Sequence, residues 1–294
     1  MDLKAEHLIS SQNKLGEGPL WHSEEGAIYW VDILQARVER YHLQSQQKRT
    51  FQFDVGITVL GIRARGGFIT ATTQGFALWD GVSEKLEMLS NPIADKPFTR
   101  FNDGAVDRQG RFWAGSMYDG PQTVSPPEGL LFRLDPDGGV HLMESGLTIS
   151  NGIAWSPDNR KMYLTDSPRR VIYVYDFDPG PGTISNRQVF ATVPEEQGYP
   201  DGLTIDGQGY LWSARWSGWE LVRYTPNGEE DLKVNLPVAC PTSCTFGGKD
   251  LRDLYITSAW VALSDVERAD QPMAGDVFQL KLVHPGLPEP KYLG

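Results

Sequence analysis

The sequence predicts an all-β fold, a six-bladed β-propeller with four antiparallel strands per blade, closed by the N-terminal strand. Three features support this prediction: six similar segments along the chain, a second apolar hairpin after each of them, and a short apolar stretch left over at the N-terminus. A repeat of about 40–50 residues that holds several short strands is typical of propeller blades.

Each of the six segments contains a polar or turn residue, a short apolar strand, a turn rich in Gly, Asp or Asn, and a second apolar strand. They read EGPLWHSEEGAIYWVD from Glu17, VLGIRARGGFITAT from Val59, NDGAVDRQGRFWAG from Asn102, NGIAWSPDNRKMYLTD from Asn151, DGLTIDGQGYLWSA from Asp201 and SCTFGGKDLRDLYITS from Ser243. The last four begin 49, 50 and 42 residues apart, which is the spacing of one four-stranded blade.

The second hairpins and the chain ends predict how the ring closes. GLLFRLDPDGGVHLME from Gly129 shows the alternation expected of strands with one packed face. The sixth unit has one further strand, GDVFQLKL from Gly275, and then only the proline-rich end VHPGLPEPKYLG. Because proline disfavours a central strand, we expect AEHLISS from Ala5 to supply the missing strand and protect the sheet edge. A two-sheet sandwich would leave the six equivalent segments unexplained.

Composition narrows the range of partners. The chain has 294 residues, a net charge of −11 and a pI near 4.9, and we expect residues 1–294 to form one domain. An acidic surface repels phosphate, so nucleic acid is not an expected partner. No apolar stretch approaches a membrane span and no signal peptide is recognisable, so we expect a cytoplasmic protein without a membrane contact, by default a monomer. Cys240 and Cys244 are expected to be partly buried thiols without a disulfide framework.

Four of the six segments begin with a carboxylate or amide side chain. The first strand of every propeller blade lines the central channel, so the residues that begin these strands converge at one mouth of the channel. Here they are Glu17, Asn102, Asn151 and Asp201. Carboxylate and amide oxygens suit a divalent cation, and a cation would relieve the repulsion between the two carboxylates. We expect Asp103 to serve the Asn-Asp-Gly turn.

The motifs resemble those of the senescence marker protein-30/gluconolactonase/luciferin-regenerating-enzyme family. They are LGEGPLW, RFNDGAVDRQGRFWAGSM, ISNGIAWS, YPDGLTIDGQGYLW and TSCTFGG, in the family's order and spacing over essentially the whole chain. The resemblance implies a six-bladed propeller with one divalent metal ion at the channel mouth and the hydrolysis of a sugar lactone to its free acid. The metal is expected to be Ca²⁺ or Zn²⁺, with Mn²⁺, Fe²⁺ and Mg²⁺ also compatible with an open site of three protein ligands.

The resemblance also implies roles for individual residues. The metal-ligand positions of the family fall on Glu17, Asn151 and Asp201, and its substrate-binding arginine and asparagine fall on Arg100 and Asn102.

An acidic substrate contact follows the family's G-[ST]-M motif, and Asp119 is the nearest acid here. The next loop, QTVSPPEG from Gln122, differs from that of the animal members, so the sugar acid is left open.

These assignments predict a mechanism. A bound metal polarises a carbonyl, and a carboxylate takes the proton from water, so Asp201 is expected to act both as a ligand and as the general base. Trp216 is expected to line the substrate pocket, because sugars stack on aromatic faces. Tyr118, Trp219 and Trp260 are further candidates for this role.

Other designs lack their residues. The chain has no G-x-S-x-G motif for a serine hydrolase and no H-E-x-x-H spacing among its five histidines. Two alternatives stay open: a calcium-dependent phosphotriesterase-type hydrolase on the same scaffold, and a non-catalytic calcium-binding propeller.

Overall fold

A computed structural model describes residues 3–121 and 128–294. Within these residues, 24 strands form six four-stranded sheets. The strands are β1 (Glu6–Ile9), β2 (Gly16–His22), β3 (Ala27–Asp32), β4 (Arg37–His42), β5 (Gln47–Gln52), β6 (Ile57–Ile62), β7 (Phe68–Thr72), β8 (Gly75–Trp79), β9 (Leu86–Ser90), β10 (Thr99–Val106), β11 (Phe112–Tyr118), β12 (Gly129–Leu134), β13 (Val140–Leu147), β14 (Ser150–Trp155), β15 (Lys161–Asp166), β16 (Val171–Asp178), β17 (Thr183–Thr192), β18 (Tyr199–Ile205), β19 (Leu211–Trp216), β20 (Glu220–Tyr224), β21 (Glu230–Asn235), β22 (Pro241–Gly247), β23 (Asp253–Ser258) and β24 (Val277–Lys281).

The sheets confirm the predicted six-bladed propeller and its closure. Five blades are formed in chain order, β2-β3-β4-β5 and so on, and all pairs within them are antiparallel. The sixth has the order β1-β24-β23-β22, and Glu6 of the N-terminal strand pairs with Gln279. The N-terminal strand therefore supplies the outer strand of the last blade, and it covers the edge that β24 would otherwise expose.

Burial falls from the channel to the rim of each blade. The second strand β3 (AIYWVD) is buried throughout, whereas the outer strand β5 (QKRTFQ) is almost entirely exposed. The second strands of blades 3 and 5 each place a fully buried tryptophan, Trp113 and Trp212, against an aspartate at the end of the first strand. Their indole Nε1–H groups donate to Asp107 and Asp206 at 3.0 and 3.3 Å. The hydrophobic clusters join residues of adjacent blades, as with Tyr29 of blade 1 and Trp79 of blade 2, so the cores lie between neighbouring blades.

Helix is limited to α1 (Asp265–Asp270) and a single 3₁₀ turn at Glu195–Gln197 within the described residues. None of the helices that the structure describes is long and apolar enough to cross a membrane. The loop QTVSPPEG, which differs from the animal members, lies outside the described residues over 122–127.

Every first strand carries a register irregularity near its start. The first strands begin at what we call the upper mouth of the channel and end at the lower mouth. Pairing with the second strand shifts between Glu17 and Leu20 in blade 1 and between Ser150 and Ile153 in blade 4, and the other four blades shift at the same place. A bulge re-aims the side chains beside it, so this repeated feature sets the direction of the residues at the upper mouth.

The last ten residues, 285–294, cross the lower mouth as a strap. Gly286 N–H donates to Leu251 in blade 6, Tyr292 N–H donates to Ile62 in blade 2, and Leu293 N–H donates to the carbonyl of Gly110 in blade 3. The strap forms isolated bridges but no strand, as its prolines predicted. It closes the lower end of the channel.

Candidate metal centre and active site

The three predicted metal ligands lie at the upper mouth, each in the second or third residue of its strand. Glu17, Asn151 and Asp201 are buried, with 8, 5 and 4% of their surface exposed. The Asn151 amide Nδ2 donates to Asp201 Oδ1 and, at 3.1 Å, to Ser167 Oγ. Blades 4 and 5 therefore bring two of the predicted ligands into direct contact.

The two bonds made by Nδ2 also fix which way the Asn151 amide points. Its oxygen Oδ1 is buried and accepts no hydrogen bond from any described residue. Buried amide oxygens are normally paired, because an unpaired one loses its hydration without replacement. This oxygen, next to Asp201, is therefore available as a ligand for a cation.

The electrostatics of the two carboxyl groups point the same way. Burial raises the pKa of Glu17 well above its usual value, and the charges of Asp201 and Asp103 raise it further. The pKa of Asp201 is raised by burial and by Asp103, although the bond from Asn151 opposes this. Like charges held in a buried site favour protonation unless a positive charge lies between them. The residues thus fit a divalent cation, which would let both carboxyl groups ionise.

Asp103 joins this group, a role that the sequence analysis missed. Its Oδ1 does accept the Gly104 N–H at 2.7 Å, as expected of the Asn-Asp-Gly segment. The residue nevertheless lies within β10, and burial raises its pKa to about 6. The sequence signal was present, since Asp103 directly follows the mouth residue Asn102, but it depends on the bulge that turns adjacent residues toward the channel.

Carboxylates alone do not make the site. Among the described residues, no three His, Cys, Asp or Glu side chains gather closely enough to hold a metal ion. The predicted centre therefore depends on the Asn151 amide oxygen as its third protein donor, together with Glu17 and Asp201.

The strand register completes the ring of mouth positions. Thr58 and Thr242 occupy the places equivalent to Glu17 in blades 2 and 6, one residue before the Val59 and Ser243 at which the sequence segments begin. The Thr58 hydroxyl donates to Ala71 O at 3.2 Å.

The Thr242 hydroxyl donates to Gly16 O at 2.5 Å, and its oxygen lies 2.9 Å from Thr257 Oγ1. Both threonine hydroxyls thus donate their hydrogen bonds to backbone carbonyl groups of the protein.

The predicted substrate-binding residues of blade 3 contact one another. Arg100 Nε donates to Asp119 Oδ2 at 2.8 Å, and its Nη1 donates to Asn102 Oδ1 at 3.1 Å. The Asn102 amide Nδ2 donates across the blade boundary to Ser150 O at 3.1 Å. Arg100 is 7% exposed whereas the Asp119 side chain is 50% exposed, so Asp119 lies on the solvent side of this pair.

The aromatic residues proposed for the pocket differ in their contacts. Trp216 is partly buried and packs on Ala239, Cys240 and Ala259 at the boundary of blades 5 and 6. Trp219 is 43% exposed, with a left-handed backbone (φ 63°).

Tyr118 donates its hydroxyl to Pro121 O at 3.1 Å, and Trp260 donates its Nε1–H to Gln12 O at 3.1 Å. The thiols Cys240 and Cys244 are free, as expected, but they are fully rather than partly buried.

Comparison with known proteins settles the family. Residues 15–260 match the model described as the SMP-30/Gluconolactonase/LRE-like region. This chain belongs to that family. It is 37% identical to 6-deoxy-6-sulfogluconolactonase from Pseudomonas putida over 98% of both chains. It is 36% identical to regucalcin from Danio rerio over 99% of both chains, and 35% identical to pentonolactonase XacC from Haloferax volcanii over 96% of both chains.

The fold agrees with a solved structure of the family. The crystal structure of a calcium-binding protein, regucalcin, from Agrobacterium tumefaciens superposes with a TM-score of 0.93 at 26% identity, covering 99% of this chain and 98% of that one. This chain therefore has the same overall fold as that protein.

Proposed function

We propose that this protein is a lactonase that hydrolyses a sugar lactone to the free sugar acid with one divalent metal ion at the upper mouth. The observation that carries the proposal is Asn151 Oδ1, which accepts no hydrogen bond from the described residues and lies beside the buried Asp201, whose charge raises the pKa of the buried Glu17. Two of the relatives described above are named as sugar lactonases, which supports the substrate class.

Glu17, Asn151 and Asp201 would hold the metal. When bound, such an ion polarises the lactone carbonyl and stabilises the oxyanion that develops on it. Asp201 takes a proton from water as the hydroxyl adds to the carbonyl carbon. The bond from that carbon to the ring oxygen then breaks, and the ring oxygen leaves as a hydroxyl after accepting the proton that Asp201 took from water.

Blade 3 would orient the sugar. Arg100 and Asn102 are held rigidly by their mutual hydrogen bond, and their remaining donors suit ring hydroxyl groups. The Asp119 side chain is half exposed, and its carboxylate would accept a hydrogen bond from a sugar hydroxyl. Trp216, at the blade 5–6 boundary, supplies an apolar surface for the carbon face of the sugar. The four residues would thus hold the lactone over the metal.

The test is a substrate panel run on metal-free protein that is reconstituted with Ca²⁺, Zn²⁺, Mn²⁺, Fe²⁺ or Mg²⁺ in turn. The panel holds hexono- and pentonolactones and, beside them, a fluorophosphate ester. We expect lactone hydrolysis that requires metal and is lost on chelation. Hydrolysis of the phosphorus ester alone would replace the lactonase with a phosphotriesterase, and metal binding without any hydrolysis would leave a non-catalytic calcium-binding propeller.

A further inference from the structure

Two buried aspartates occupy one equivalent position in blades 1 and 4. Asp32 ends β3 and Asp166 ends β15, and both side chains are fully buried. In the strand register Asp32 faces Gly16 and Asp166 faces Ser150. These partners are the residues directly before Glu17 and Asn151, so each aspartate lies next to a strand that carries a proposed metal ligand.

In blade 1 the carboxylate fixes the segment that leads into β2. Asp32 accepts the backbone N–H groups of Lys14 at 2.7 Å and Leu15 at 3.2 Å. The next residue, Ile33, returns a bond by donating its N–H to Leu15 O at 3.1 Å. Leu15 is therefore held at both its N–H and its carbonyl, two residues before Glu17.

Blade 4 repeats this arrangement. Asp166 accepts the N–H groups of Thr148 at 3.0 Å and Ile149 at 3.1 Å. Ser167 N–H donates to Ile149 O at 3.3 Å, and the Ser167 hydroxyl accepts the Asn151 amide. Ile149 is held two residues before Asn151, as Leu15 is before Glu17.

The other four blades lack the carboxylate. The residues at the equivalent position are Thr72, Ser116, Arg215 and Ser258. Within the described residues, none of these side chains bonds an N–H of the segment that leads into its first strand; Ser116, for example, accepts Leu130 N–H instead. Blades thus fold without this device, so folding alone does not explain it in blades 1 and 4.

We propose that Asp32 and Asp166 are positioning residues that fix Glu17 and Asn151 for metal binding by clamping the backbone two residues before each ligand. Two extended residues span about 7 Å. Because the clamped residue lies this close to the ligand along the chain, a shift of its backbone also moves the ligand oxygen. Hydrogen-bonded supports of metal ligands usually change metal affinity about 10–100-fold when they are removed. The inference rests on the proposed metal site.

The experiment compares Asp32→Asn and Asp166→Asn with the wild type. In each variant the amide keeps the shape of the side chain but presents an NH₂ group to backbone N–H donors. We expect the Kd for Ca²⁺ and for Zn²⁺, titrated calorimetrically into metal-free protein, to rise about 10–100-fold in each variant. Activity at saturating metal should return toward that of the wild type.

Asp107→Asn is the matched control. Asp107 is equally buried and accepts the N–H groups of Gln109 at 2.9 Å and Arg111 at 3.1 Å, but at the lower mouth of blade 3. This variant should lower the thermal midpoint of metal-free protein and leave the metal Kd unchanged.

Two further variants separate the clamp from its charge. Asp32→Glu and Asp166→Glu keep the negative charge but displace its oxygens, so they should also weaken metal binding, and they replace an Asn variant that does not fold. Wild-type Kd values in the Asn variants, or a loss in Asn variants that the Glu variants fully restore, would overturn the inference. A wild-type protein that binds no metal would instead overturn the proposed function.

Discussion

The two mouths of the channel each bury carboxyl groups, and they treat them differently. At the lower mouth the strap inserts Glu289, whose Oε1 accepts the Thr245 hydroxyl at 2.9 Å, and burial raises its pKa to about 7. Among the described residues, burial is the cause of this shift and the bond from Thr245 opposes it. At the upper mouth, in addition to burial, the charge of Asp103 raises the pKa of both Glu17 and Asp201, and Asp201 raises that of Glu17 further, beside an amide oxygen that accepts no hydrogen bond from the described residues. Burial is common to both mouths. The upper mouth differs because it gathers several carboxyl groups beside an amide oxygen, and this feature distinguishes a candidate metal site.

The space between the mouths supports this difference. A cavity of about 120 Å³ lies inside the ring, lined by Asp103 from above and by Glu289 and Pro290 of the strap from below. The strap packs closely, since a Cβ on Gly110 would lie 2.3 Å from the Cγ of Leu293. Substrate would therefore approach from the upper mouth, where the proposed metal ligands lie.

The largest expected effect is a difference in kcat between a variant at the upper mouth and a variant at the lower mouth. Asp201→Asn removes the proposed general base and one ligand charge, so kcat for a lactone should fall by at least about 10²–10⁴-fold. Glu289→Gln keeps a neutral group beside Thr245 and should retain wild-type kcat. Steady-state assays at saturating metal, with bound metal measured for each variant, make the comparison. Equal activity of Asp201→Asn and wild type with metal bound would remove Asp201 from the mechanism.

A smaller effect is expected from the serine that orients the Asn151 amide. Ser167→Ala removes one of the two acceptors that turn Nδ2 away from the metal position, so the amide can rotate and the metal Kd should rise by about 10-fold. Ser167→Thr keeps the acceptor and should restore binding. Calorimetric titration of metal into metal-free protein checks both variants, and an unchanged Kd in Ser167→Ala would show that Asp201 alone sets the amide.

How far the sequence predicts this molecule depends on what repeats. The six segments were sufficient for the ring, for its closure by the N-terminal strand, and for the meeting of Asn151 with Asp201, because equivalent positions in a ring converge. Asp103 was missed because its orientation depends on a bulge.

Glu289 was missed for a different reason. The strap does not repeat, and only tertiary contacts with several blades place that carboxyl inside the channel.

A third effect, a few-fold in KM, should come from the rim of blade 3. Asp119→Asn weakens the ion pair with Arg100 and removes a charged acceptor for a sugar hydroxyl. Arg100 keeps its bonds to Phe101 O and Asn102 Oδ1 in this variant, and the Asp119 side chain is half exposed. KM for the lactone should therefore rise while kcat and the thermal midpoint change little. Asp176→Asn, which disrupts the exposed Lys161–Asp176 pair away from the mouth, is the control. A loss in kcat alone would place Asp119 in the chemical step instead.

The smallest effect concerns stability and returns to the lower mouth. Because the pKa of Glu289 is about 7 in the folded protein against 4.5 ordinarily, the folded state holds a proton that the unfolded chain releases. Its contribution to stability is fully present below pH 4.5 and is lost as the pH rises through 7. Glu289→Gln cannot lose that proton, so its thermal midpoint relative to wild type should increase by a few degrees between pH 5 and pH 8. Saturating metal holds the upper mouth constant during these scans, and a difference that does not change with pH would mean that the Glu289 carboxyl ionises freely inside the channel.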